Sequence, residues 1–73
     1  PAPTTYNPPP MATKQQLENQ LTRCEEEILD TCRASCHAQL MHDSEAIKRT
    51  EARLYALKIL ESQLHAAWRR TPL

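Results

Sequence analysis

Two apolar stripes with helical spacing organise the chain. The first runs Leu17, Leu21, Cys24, Ile28, Cys32, Cys36 and Leu40 in steps of three and four, the signature of one face of an amphipathic helix. It starts just after Thr13, and Gln16 three residues later completes a Thr-x-x-Gln capping box at the helix entry. The second stripe runs Ile47, Thr50, Leu54, Leu57, Leu60, Leu64, Ala67 and Trp68. Asp43 suits its N-cap, Glu45 its first turn, and Arg69 and Arg70 the negative end of its dipole, before Thr71-Pro72 stops it. Glu45 and Arg49, four apart, have the spacing of a favourable ion pair, whereas Glu26 and Asp30 are a like-charge pair at the same spacing.

The two stripes are out of phase. A heptad carried forward from Leu17, Leu21, Cys24 and Ile28 reaches positions 42, 45, 49 and 52, whereas the second stripe uses 47, 50, 54 and 57. That break predicts a turn around His42 to Ser44 and an antiparallel helical hairpin. An eleven-residue repeat links Leu21, Cys32 and Leu54, and also Cys24, Ala46, Leu57 and Trp68. It leaves one long coiled-coil helix, of about 87 Å at 1.5 Å per residue, as the alternative.

Ahead of the helices, residues 1–12 hold five of the six prolines, which excludes helix and favours an extended polyproline II strand without internal hydrogen bonds. Such a segment has no core of its own. Residues Pro1, Pro3, Tyr6, Pro8, Pro9 and Pro10 are therefore expected to form an arm that docks on a partner. The fold class is all-α, divided into the arm 1–12, helix 1 over 13–42, and helix 2 with the C-terminal tail over 43–73. The helix interface is expected at Leu17, Leu21, Ile28, Ile47, Leu54, Leu57, Leu64 and Trp68.

Composition sharpens the expectation of partners. The chain has 73 residues, no Phe, one Trp and two Tyr; domains this small usually need disulfides, metal or oligomerisation. Nine basic and nine acidic residues cancel, which argues against nucleic acid or anionic lipid as partner. The charge is unevenly spread. Residues 13–42 carry three basic and five acidic side chains and residues 43–73 carry six and four, so the halves complement each other weakly. No apolar run reaches the roughly 18 residues of a membrane span, and no signal-peptide core is visible. These features point to a location in the cytoplasm or in an assembled particle.

Three cysteines, Cys24, Cys32 and Cys36, are the most reactive groups, and all lie on the first stripe. On a helix, Cys32 and Cys36 hold their Cβ atoms about 5–6 Å apart and parallel, beyond the roughly 3.5–4.5 Å a disulfide requires. Cys24 lies two turns away. Two roles remain: small apolar residues filling the seam, or intermolecular disulfides to neighbouring chains. A metal set drawn from Cys32, Cys36, His37 and His42 is incomplete, since His37 points about 100° away from Cys36 on a helix. Neither a metal nor a cofactor is expected. Catalysis would need a thiolate beside an oriented imidazole in a concave site. Cys36 and His37 are splayed instead, so neither an enzyme nor a small-molecule substrate is expected.

The Cys-x-x-x-Cys spacing of Cys32 and Cys36 is similar to that of the small coiled-coil-helix proteins of the mitochondrial intermembrane space. Those place a second such pair on the facing helix, and here the second helix has no cysteine. In length, arm and cysteine placement the chain looks like the small linking, cement or decoration proteins of tailed-phage virions. That resemblance implies a structural accessory subunit joining larger subunits such as capsid proteins in a virion. Residues 1–12 would be its docking arm and Cys24, Cys32 and Cys36 its candidate cross-link sites. A small homo-oligomeric coiled-coil module with a regulatory or chaperone-like role is the alternative reading.

Overall fold

The computed structural model describes residues 13–72; residues 1–12, expected to form a docking arm, lie outside the described residues. Two α-helices, α1 (Lys14–Leu40) and α2 (Ser44–Arg70), of 27 residues each, pack as a hairpin. Among the described residues there are no strands. The single long rod is thereby replaced by two helices that bury their stripes against each other.

Each helix begins where its first unpaired backbone N–H groups find a side chain. Thr13 Oγ1 accepts from the Gln16 N–H at 3.2 Å, and Gln16 Oε1 accepts from the Thr13 N–H at 2.9 Å. This is the reciprocal capping box expected from the sequence. Asp43 Oδ1 accepts from the Ala46 N–H at 3.1 Å at the head of α2.

The turn is a Schellman motif. The Asp43 N–H donates to the Ala38 carbonyl at 2.9 Å and the His42 N–H to the Gln39 carbonyl at 3.2 Å, closing the carbonyls that α1 leaves unpaired. Asp43 thus ends one helix with its N–H and starts the next with its carboxylate. The geometry requires His42 at φ 55, the left-handed region that glycine enters without the Cβ penalty. His42→Gly is accordingly expected to raise stability by about 0.5–1 kcal/mol, read as a higher urea midpoint; a lower midpoint would show that the imidazole contributes more than the strain costs.

The seam keeps a strict alternation of three and four residues along both helices. In α1, Leu17, Leu21, Cys24, Thr31, Ser35 and Ala38 are buried and Ile28 is half-buried. In α2, Leu57 and Leu64 are buried, and Ile47, Thr50, Leu54, Glu61 and Trp68 are half-buried. Cys32, Cys36, Leu40 and Leu60, expected on the stripes, are exposed instead. The reason is rotational. Steps of four overshoot a full turn by about 40° and steps of three undershoot it by about 60°. Three consecutive steps of four from Ile28 therefore carry Cys32, Cys36 and Leu40 progressively round the helix, while Thr31, Ser35 and Ala38 stay near the contact line. By the same arithmetic Glu61, not Leu60, follows Leu57.

The core is consequently asymmetric. Leu17, Leu21, Cys24, Leu57 and Leu64, with Ile28, Ala67 and Trp68 against them, form an apolar cluster at the end remote from the turn. Toward the turn the α1 seam is Thr31, Ser35 and Ala38. The seam hydroxyls are satisfied locally: Thr31 Oγ1 donates to the Glu27 carbonyl at 2.7 Å, Ser35 Oγ accepts from Gln39 Nε2 at 3.5 Å, and on α2 Thr50 Oγ1 donates to the Ala46 carbonyl at 2.9 Å. No buried side-chain polar atom among the described residues lacks a partner. Small residues let the helices approach near the turn but bury little apolar area.

At the open end Trp68 closes the cluster. Its indole Nε1 donates to Glu18 Oε1 at 3.2 Å, and the Lys14 ammonium sits 4.2 Å from the ring centroid. One aromatic side chain thus joins α2 to the first two turns of α1 through a hydrogen bond to Glu18 and a cation–π contact with Lys14. Arg53 and Glu27 add a cross-helix ion pair at 3.3 Å, exposed enough to be worth under about 1 kcal/mol.

Candidate interaction surface and thiol sites

The helical arrangement separates the three cysteines into two environments. Cys24 is 3% exposed, within the leucine cluster, and its Sγ donates to the Leu57 carbonyl at 3.4 Å. Burial pushes its thiol above the ordinary value, and the nearby Glu61, Glu27 and Glu25 carboxylates push it further the same way. Both causes disfavour the thiolate, the form that attacks disulfides and alkylating agents. Cys24 therefore belongs to the packing of the hairpin.

Cys32 and Cys36 are exposed and free. They lie on one flank of α1 with Leu29 and Leu40, which are 58% and 79% exposed. The flank is a second, outward stripe of apolar and thiol groups, beside the seam and not within it. Accessible thiols of this kind can form a disulfide with a partner's thiol, a two-electron oxidation for which an external oxidant must take up the electrons.

The outer surface of α2 carries a further apolar set, Tyr55, Ile59 and Leu60, exposed by 72%, 42% and 43%. Met41 projects from the turn. Beside the turn an open cleft of about 450 Å³ is lined by Ala34, His37, Ala38, Met41, Ala46 and Arg49 among others. Asp43 also borders it, but that carboxylate is engaged in capping α2. The cleft can receive an apolar side chain, with Arg49 contributing to its lining.

The expected interface residues fall in two groups. Leu17, Leu21, Leu57 and Leu64 are buried between the helices; Ile28, Ile47, Leu54 and Trp68 flank them half-buried. Pro1, Pro3, Tyr6, Pro8, Pro9 and Pro10 lie outside the described residues.

Sequence reasoning did not single out a second cluster, away from the exposed thiols. Glu25 on α1 and Glu61 and His65 on α2 bring one carboxylate or imidazole ligand atom each within 4.8 Å of one another. Half of this was legible: Glu61 and His65, four apart, share a helix face. That Glu25 stands across from them depends on the hairpin register, which no local pattern supplies.

Comparison with protein families, curated proteins and solved structures gives no match. The functional reading rests on this chain's own surface. No helix among the described residues is long and apolar enough to cross a membrane.

Proposed function

We propose that the chain is a structural accessory subunit that joins larger proteins in an assembly, using its exposed apolar flanks as contact surfaces. One observation carries this reading. Among the described residues six large apolar side chains, Leu29, Leu40, Met41, Tyr55, Ile59 and Leu60, are exposed, whereas the buried large ones are the four leucines Leu17, Leu21, Leu57 and Leu64. Single exposed apolar residues are ordinary on protein surfaces. Here the exposed large apolar residues outnumber the buried ones, with Ile28, Ile47, Leu54 and Trp68 only half-buried between the helices. A surface this apolar favours burial against partners.

Cys32 and Cys36 are the proposed sites of covalent linkage, since both are accessible and neither supports the hairpin core. Cys24 takes the packing role. The assembly we propose is a virion capsid or tail, on the format resemblance given by length, Pro-rich arm and cysteine placement, with residues 1–12 as the arm laid on a neighbouring subunit.

Peptide mass spectrometry of the native assembly without reductant tests the linkage: peptides joining Cys32 or Cys36 to another chain are expected. Free thiols at both positions would remove covalent linkage from the proposal. Light scattering of the isolated chain tests the accessory role, with a monomer or ill-defined aggregates as the expected result. A discrete dimer or trimer would favour the alternative, a homo-oligomeric coiled-coil module that covers the same apolar surfaces with its own copies.

A further inference from the structure

We propose that Glu25, Glu61 and His65 form a binding site for a divalent transition-metal ion such as Zn²⁺, clamping α1 to α2. The site lies beyond the functional reading above and does not depend on it. Its three ligand atoms lie within 4.8 Å of one another. With metal–ligand bonds of about 2.0–2.2 Å, tetrahedral coordination needs ligand atoms about 3.4 Å apart. Glu25 and His65 are exposed and Glu61 half-buried, so rotation of side chains already near one another closes that gap without moving backbone.

Three features distinguish this cluster from a chance meeting of surface charges. The donors come from both helices: Glu61 and His65 form an i, i+4 clip on α2, and Glu25 reaches the same point from α1. The set mixes an imidazole with two carboxylates, a combination that suits zinc and related ions better than Mg²⁺ or Ca²⁺, which favour oxygen donors. Finally, the fold brings two carboxylates together without a neutralising lysine or arginine. Among the described residues the ion pairs are Arg33 with Asp30 and Arg53 with Glu27, so neither Glu25 nor Glu61 has one. Two carboxylates held at one point without a cationic partner repel each other. A divalent cation removes that repulsion, with water completing its coordination.

The position gives the site a structural consequence. Glu25 adjoins Cys24 in sequence, and Glu61 and His65 lie between and beside Leu57 and Leu64, so the ion would span the edge of the leucine cluster. Binding only to the folded hairpin stabilises it by mass action.

The test uses the full chain carrying Cys32→Ser and Cys36→Ser, so that exposed thiols do not capture zinc, with a non-thiol reductant present. Titration with ZnCl₂ is expected to show one ion per chain, and at a hundredfold excess over Kd to raise the thermal midpoint by about 10 °C or more. His65→Gln and Glu61→Gln, made in the same background and checked for helicity by circular dichroism, are each expected to weaken binding at least tenfold. MgCl₂ at the same concentration is expected to leave the midpoint within about 2 °C. Absence of a zinc-induced rise, undiminished affinity in His65→Gln, or an equal rise with Mg²⁺ would each overturn the site.

Discussion

Leu57→Ala is expected to destabilise the hairpin by about 2–4 kcal/mol, a large fraction of its total stability. Leu57 is 6% exposed and belongs to the apolar cluster. Truncating a buried leucine costs about 2–5 kcal/mol, through lost transfer energy and the cavity left behind. The upper end does not apply, because a two-helix core can relax toward the gap from its open sides. Total stability for the 60 described residues is about 3–9 kcal/mol at ordinary values per residue, so this one change removes a large fraction of it. Leu60→Ala is the matched control. It deletes the same atoms from a side chain that is 43% exposed and is expected to cost under about 1 kcal/mol. Urea denaturation of both variants, followed by circular dichroism at the helix band, checks the difference. Equal costs would mean that the second stripe meets α1 through Leu60, and that the seam through Leu57, Glu61 and Leu64 is wrong.

That comparison also marks how far the pattern of the chain carried. The capping box at Thr13, the cap at Asp43 and the phase break between the stripes are local signals, and each corresponds to a feature of the fold. The leucine cluster was legible too, because leucines at the contact line are strong markers. Toward the turn the marker fails: Thr31, Ser35 and Ala38 are buried by geometry, not by hydrophobicity, so they carry no apolar signal. Cysteine, small and apolar, drew the reading toward Cys32 and Cys36, although the alternation already set by Leu17, Leu21, Cys24 and Ile28 continues through Thr31, Ser35 and Ala38. The position of Glu25 opposite Glu61 and His65 lay beyond local reading, because it follows from how two distant segments align.

The same division predicts a wide gap in thiol reactivity. In the folded chain at pH 8, iodoacetamide is expected to label Cys32 and Cys36 readily and Cys24 at least about a hundredfold more slowly, because a buried thiol reacts mainly through opening of the hairpin. In denaturant the three rates should converge; peptide mass spectrometry over a time course reads all three sites at once. Comparable labelling of Cys24 in the folded protein would show that the leucine cluster opens too often to count as a core. The raised Cys24 thiol adds a dependence on pH with a defined sign. In the unfolded chain the thiol ionises near its ordinary value of about 9.0, and in the fold burial and the Glu61, Glu27 and Glu25 carboxylates hold the proton to higher pH. Between those two values only the unfolded chain releases the proton, so the stabilisation present below about pH 9 falls as pH rises through the folded value. Cys24→Ala lacks this titration. Urea midpoints of the two proteins, compared from pH 7 to above 9, should therefore draw closer if the parent starts higher, or separate if it starts lower, with the parent always losing more. Other alkaline groups, Tyr55 and the lysines, are common to both proteins and cancel in the difference to first order. Parallel midpoint curves would mean that Cys24 is as free to ionise in the hairpin as in the open chain, and its place in the seam would be lost.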